Sequence, residues 1–134
     1  MALITVDPTK VRVVEVIESY PAAALVAITP GQMVKLDPST GKVNLALSTT
    51  APNALTIGMA LSDTARQPMS PTILRRGIVD LGSALDAMNF GDVVYLNDTG
   101  GSIGTAAGTV SKPIGTVVAG YGNTTMDKFL RIDA

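Results

Sequence analysis

The sequence predicts an all-β protein: a single compact barrel or sandwich of about eight short strands, preceded by an extended N-terminal arm. Three observations carry this expectation. Thirteen glycines and eight prolines interrupt the 134 residues, breaking the chain about every eight to twelve residues, the spacing of a sandwich or barrel of short strands. The runs between the breaks are rich in Val, Ile, Leu and Thr, whose branched side chains suit a pleated sheet. Outside one short stretch, no segment sustains the 3.6-residue apolar period of a helix.

The length fits one domain, large enough to bury roughly two-thirds of its unfolded surface. The expected division is an arm over residues 1–10 and a β domain over residues 11–134. In the arm Leu3, Ile4 and Val6 are apolar, and Asp7-Pro8 stops any strand there. A free arm of this kind should be removable without changing how the domain melts.

The first convincing strand covers residues 11–17, four of them Val and one Ile. Its alternation slips at Val13-Val14, the sign of a bulge or of burial on both faces. Tyr20-Pro21 is expected to end it. A short strand over 25–28, a turn at Thr29-Pro30-Gly31 and a strand over 32–36 follow. Residues 37–41, Asp-Pro-Ser-Thr-Gly, form a turn with clear chemistry: Pro38 presets φ, the Asp37 side chain caps, and Gly41 tolerates positive φ. Residues 42–47 return as the hairpin partner.

After a polar connection over 48–53 come strands over 55–61 and 72–81, separated by a loop over 62–71. Gly77 marks a bend or bulge within the second. Ser83 and Asp86 give a weak capping-box pattern, so 83–88 is expected to form one helical turn. A turn at Phe90-Gly91-Asp92 leads into a strand over 93–96, and residues 97–101 reverse the chain tightly. Residues 102–111 are expected to be a mobile hairpin or loop. Strands over 113–119 and 128–132, joined by 120–123, close the chain.

The composition restricts function. Apolar residues make up 46% and aromatics 4%, so the apolar content is aliphatic. Charged residues are 16%, against about 25% in an average soluble domain. Either part of the surface is covered by partners, or the protein is simply rich in Ser and Thr. The net charge is −1 with scattered signs, and Arg75-Arg76 is the sole adjacent basic pair. Nucleic-acid binding and membrane-surface binding are therefore disfavoured. The start of the chain does not read as a signal peptide, and no apolar run approaches the roughly 18 residues that span a bilayer.

There is no Cys and no His. Thiolate chemistry is excluded, and the usual general base near neutral pH and the commonest metal ligand are both missing. Asp37, Asp92 and Asp98 are the candidate acids on loops, but each sits at a strand-end turn where Asp serves turn geometry. Ser70 near Arg75 forms no nucleophile motif. The glycine-rich stretch 100–104 lacks the Gly-Lys-Ser/Thr ending of a phosphate loop. The loop 37–41 lacks the further carboxylates of a calcium site. No catalytic residue, cofactor or metal is expected. Arg75 and Arg76 point to opposite faces of a strand, one solvated and the other at an edge or in a salt bridge; the competing expectation is that one meets an acidic patch on a partner.

The order of the strand tags is distinctive. Pro30-Gly31-Gln32-Met33-Val34-Lys35-Leu36 is followed by Ile57-Gly58-Met59-Ala60, then by Gly77-Ile78-Val79-Asp80-Leu81. Phe90-Gly91-Asp92-Val93-Val94-Tyr95-Leu96 and Pro113-Ile114-Gly115-Thr116-Val117 come next, before a terminal apolar strand. This succession, over residues 29–132, resembles the small capsid decoration, or cement, proteins of tailed bacteriophages.

The resemblance implies a β-barrel or β-tulip on the outer surface of an icosahedral head, made in the host cytoplasm and bound to the major capsid protein. It implies a homotrimer that ties neighbouring capsid subunits together. It also implies an N-terminal arm that adds a strand to a capsid loop, with Leu3, Ile4 and Val6 as contact residues. The alternative is a ligand- or glycan-binding β module of a phage tail or cell-surface protein. The absence of Trp and the few Phe and Tyr residues count against it, since such sites present aromatic platforms. An enzyme is not expected.

Overall fold

The computed structural model describes residues 3–21, 23, 25–61, 72–119 and 128–133. Ten antiparallel strands form one curled sheet over these residues: β1 (Leu3–Ile4), β2 (Arg12–Pro21), β3 (Met33–Leu36), β4 (Val43–Leu45), β5 (Thr56–Ala60), β6 (Thr72–Asp80), β7 (Val93–Leu96), β8 (Ile103–Gly104), β9 (Pro113–Ala119) and β10 (Lys128–Asp133). Short 3-10 turns at Pro8–Lys10 and Pro52–Ala54 are the helical elements among the described residues. The chain is all-β. The expected closed barrel of about eight strands is corrected to an open half-barrel of ten.

The openness follows from β6. On one edge β6 pairs with β2 along its whole length. On the other edge its first half pairs with β5 and its second half with β10. Two limbs therefore diverge from β6, one running β5-β3-β4 and the other β10-β9-β7-β8-β1. Gly77 lies near the fork with φ 151°, a value unfavourable for residues with a side chain. A Cβ there would run into the Glu15 carbonyl oxygen, so β2 crosses Gly77 too closely for any other residue.

The limbs meet again at their far end through hydrogen bonds rather than a strand ladder. Met33 N–H donates to Gly101 O (2.9 Å), Gly101 N–H to Ala46 O (2.6 Å) and Ser48 N–H to Asn97 O (3.0 Å). The main core fills the space between them: Met33, Met59, Leu74, Val79, Leu85, Leu96, Ile103, Leu130 and Ile132 are among its members. A smaller cluster of Ile28, Val34, Val43, Ala60 and Ile73 lies on the other face of the β5-β3-β4 limb. Alternation explains the division, because Met33 and Val34 are neighbours on β3 and so face opposite ways.

Several expectations are met in detail. β2 slips register between Val13 and Glu15, leaving Val14 as the extra residue of a bulge, and slips again around Ile17 and Glu18. Asp37 accepts hydrogen bonds from Thr40 N–H (3.0 Å) and Thr40 Oγ1 (2.7 Å), and Gly41 takes φ 72°. Others are corrected. β2 outruns the expected residues 11–17 and pairs with β6 through Tyr20 to its last residue, Pro21; β2 is an edge strand, where a missing N–H costs no ladder bond. Residues 25–28 form no strand, although Leu25 N–H donates to Val43 O and Val43 N–H to Ala23 O. Within 102–111, Ile103–Gly104 is a strand paired with β7 and β1.

The expected helical turn over 83–88 is a chain of turns closed by bonds such as Asp86 N–H to Ser83 O. Lys128 Nζ ties that segment to β10 by donating to Asp86 O and Met88 O. The loop 62–71 and the connection 120–123 lie outside the described residues.

Candidate functional site

The three loop carboxylates are engaged locally. Asp37 holds its own turn. Asp92 accepts from Asn89 N–H (2.9 Å). Asp98 accepts from Ser48 Oγ (2.6 Å), Thr109 N–H (3.0 Å) and Thr109 Oγ1 (2.7 Å). These bonds hold the Asp98 carboxyl below its ordinary value, the Ser48 hydroxyl contributing most, and the Thr40 hydroxyl does the same for Asp37. Asp7, which caps the first 3-10 turn, is lowered by the Thr9 hydroxyl. Hydroxyl and amide donors keep these carboxylates ionised, the opposite of the shift a general acid needs. Among the described residues, no three acidic side chains converge as a metal site would require.

Arg75 and Arg76 both find carboxylates. Arg75 Nη1 lies 3.0 Å from Glu18 and Arg76 Nε lies 3.3 Å from Asp133. All four side chains remain largely exposed.

The N-terminal segment is extended and runs along its own molecule. Leu3 pairs with Gly104 and Ile4 with Ile103. Ile4 is buried in the main core and Val6 packs against it. Leu3 keeps 52% of its surface exposed. The reason is geometric: alternation along β1 turns Ile4 inward and Leu3 outward. A cavity of about 200 Å³ lies beside this segment, lined by Leu3, Val6, Pro30, Gln32, Ser102 and Ile103 among others. That is below the roughly 300–1,000 Å³ of small-molecule sites and is the size of one large side chain.

The larger surface features are aliphatic, and sequence reasoning did not find them. Val13, Val16 and Ile17 are about half exposed on β2. Val13 and Val16 stand opposite Val79 and Gly77, so they share the face of the main core but lie at its rim. A second group, Leu25, Val26, Leu36 and Leu55, is exposed at the end of the β5-β3-β4 limb. Leu36 is paired with Val43 of the smaller cluster, and Leu25 is bonded to the same residue. In sequence these residues look like ordinary strand interiors. Their exposure follows from their places at the free β2 side of the sheet and at the end of the β5-β3-β4 limb.

Comparison with known proteins finds no matching family model, curated protein or solved structure.

Proposed function

We propose that this chain is a structural virion protein: a decoration subunit that binds the outer surface of a phage capsid and cements neighbouring major-capsid-protein subunits. In this reading the open curled sheet is a β-tulip module, and copies associate as a homotrimer. The supporting observation is the contrast between its polar and apolar surfaces. The loop carboxylates are spent on hydrogen bonds within the molecule, while two groups of aliphatic side chains stay exposed. Apolar surface on an otherwise polar exterior marks contact with other macromolecules. The five ordered strand tags add the resemblance to decoration proteins, and each falls largely on a strand: β3, β5, β6, β7 and β9.

The N-terminal segment is the proposed capsid contact, through Leu3, Ile4 and Val6. Leu3 offers the exposed side chain. Ile4 and Val6 shape the strand that presents it. An incoming capsid strand would take main-chain hydrogen bonds along β1, and icosahedral repetition would make modest single contacts sufficient.

Cosedimentation with expanded, empty heads of the phage that encodes the chain tests this proposal. The protein is expected to saturate at a fixed copy number per capsid subunit and to raise the temperature at which the heads disrupt. Failure of the intact protein to bind such heads overturns it. Leu3→Glu is expected to weaken binding at least tenfold with the melting temperature unchanged.

A further inference from the structure

We propose that residues 105–110 form a strap latched by the Asp98 carboxylate over the seam where the two limbs meet, and that the strap opens as a unit when this carboxylate is protonated while the strand ladder stays paired. This goes beyond the proposed function and does not depend on it. The strap reads Thr-Ala-Ala-Gly-Thr-Val and follows β8 without belonging to a strand. Thr105, Ala106, Ala107 and Thr109 are exposed, while Gly108 and Val110 are half-buried. Beneath it lies Ser48, which is fully covered. A Cβ on Gly108 would strike the Ser48 hydroxyl, so the strap rests directly on that residue. Ser48 N–H donates to Asn97 O, one of the bonds that join the limbs, and the strap therefore lies over the seam itself.

The strap has little apolar side chain to hold it down, and segments with few buried contacts are the first to open. Its hydrogen bonds therefore decide. Thr109 N–H and Thr109 Oγ1 both donate to Asp98, and Val110 N–H donates to Ser48 O (2.7 Å). Asp98 also accepts from Ser48 Oγ, so one carboxylate ties the strap to the residue it covers. Protonation turns a charged acceptor into a neutral one, and charge-assisted bonds are the stronger. The segments around Asp98, residues 46–50, 99–104 and 105–110, contain no charged side chain. Its carboxyl is held down by the Ser48 and Thr109 donors, with desolvation opposing them. The closed strap is thus favoured above the ordinary carboxyl value of 3.8, and the advantage is lost as pH falls through the lower value of the closed state. Asp7 and Asp37 bond within their own turns and have no part in the latch.

The test is amide hydrogen exchange of the full chain, read by NMR from about pH 6 to about pH 3, each rate being compared with the intrinsic rate at the same pH. Protection at Thr109 and Val110 is expected to fall at least about fivefold over the acid end of this range, while the amides of β6, β9 and β10 keep theirs. Asp98→Asn retains an oxygen that accepts from Ser48 and from Thr109 N–H but does not titrate, so protection of its strap is expected to be independent of pH. Thr109→Val removes one hydroxyl from the latch at an exposed position. It is expected to lower protection at Val110 at about pH 6 with the strand amides unchanged, and it carries the test if Asp98→Asn does not fold. Four results overturn the strap: protection at Thr109 and Val110 that does not fall with pH, loss there in step with β6, β9 and β10, a pH dependence that persists in Asp98→Asn, or unchanged protection of Val110 in Thr109→Val.

Discussion

Asp98 shows what single side chains do in this molecule. Its carboxylate gathers Ser48 and Thr109 from two loops, and Gly108 is required beside it because a Cβ there would strike Ser48 Oγ and Asp98 Oδ1. Asp98→Ala leaves the hydroxyl of the fully buried Ser48 without this acceptor, and a stranded buried donor is destabilising. The expected result is a lower melting temperature together with faster amide exchange at Thr109 and Val110. Asp7, Asp37 and Asp98 also contribute to the acid limit. Each carboxyl is held below its ordinary value of 3.8 by hydroxyl and amide donors. A depressed folded value contributes stability that is fully present above the unfolded value and is lost as pH falls through the folded one. Thermal melts should therefore be flat from neutral pH down to about pH 5 and decline below about pH 4. The decline should be shallower in Asp98→Ala. An equally steep decline in that variant would remove Asp98 from the explanation.

At the scale of elements, the most demanding crossing is β2 over β6. Gly77→Ala must place a methyl against the Glu15 carbonyl at a backbone conformation that L residues avoid, at a cost of about 3 kcal/mol. Chemical denaturation should show this as a shifted midpoint with an unchanged slope. The Glu18–Arg75 pair on the same two strands is exposed, so its double-mutant coupling should stay below about 1 kcal/mol. β1 is small but not idle. Ile4→Ala should cost about 2 kcal/mol, and removal of residues 1–9 should lower the melting temperature, since it strips Ile4 and Val6 from the core.

Local chemistry was readable before the fold. The bulge at Val14 and the Asp37 turn announce themselves within a few residues, and Gly77 marks an irregular point in its strand, though not the close approach of β2 there. The Ser48–Asp98 bond, 50 residues apart, and the two-residue pairing of β1 with β8 leave no local trace. Neither does the extension of β2 through Pro21, which depends on its being an edge strand. The exposed aliphatic groups are hidden for the same reason: whether Ile17 or Leu36 is covered is decided by where the sheet stops.

For the whole molecule, the order in which strands leave the chain decides how the fold is completed. β6 is the branch point, and its second half is covered on one edge by β10, the last strand. β10 in turn carries β9, which carries β7 and, through it, β8 and β1. The limb β10-β9-β7-β8-β1 thus joins the strand ladder of β6 through β10, with the far-end bonds at Met33, Gly101 and Ser48 as its other ties. Leu130 and Ile132 of β10 are fully buried in the main core, and Gly115 on β9 is matched so closely to β10 that a Cβ would meet the Arg131 carbonyl oxygen. A chain ending at residue 127 therefore loses the attachment of half its sheet as well as two large core side chains. It is expected to lack a cooperative melting transition and to be digested by protease throughout. A chain lacking residues 1–9 should still melt cooperatively, at a lower temperature, because β1 ends that limb and no further described strand pairs with it. If the two truncations were destabilised equally, β10 would not be the hinge of the sheet. Because pairing β10 with β6 joins distant segments, refolding should be slow for this size, in the millisecond-to-second range of non-local β folds. Leu130→Ala should slow it if β10 docks in the transition state, and should chiefly speed unfolding if it docks afterwards.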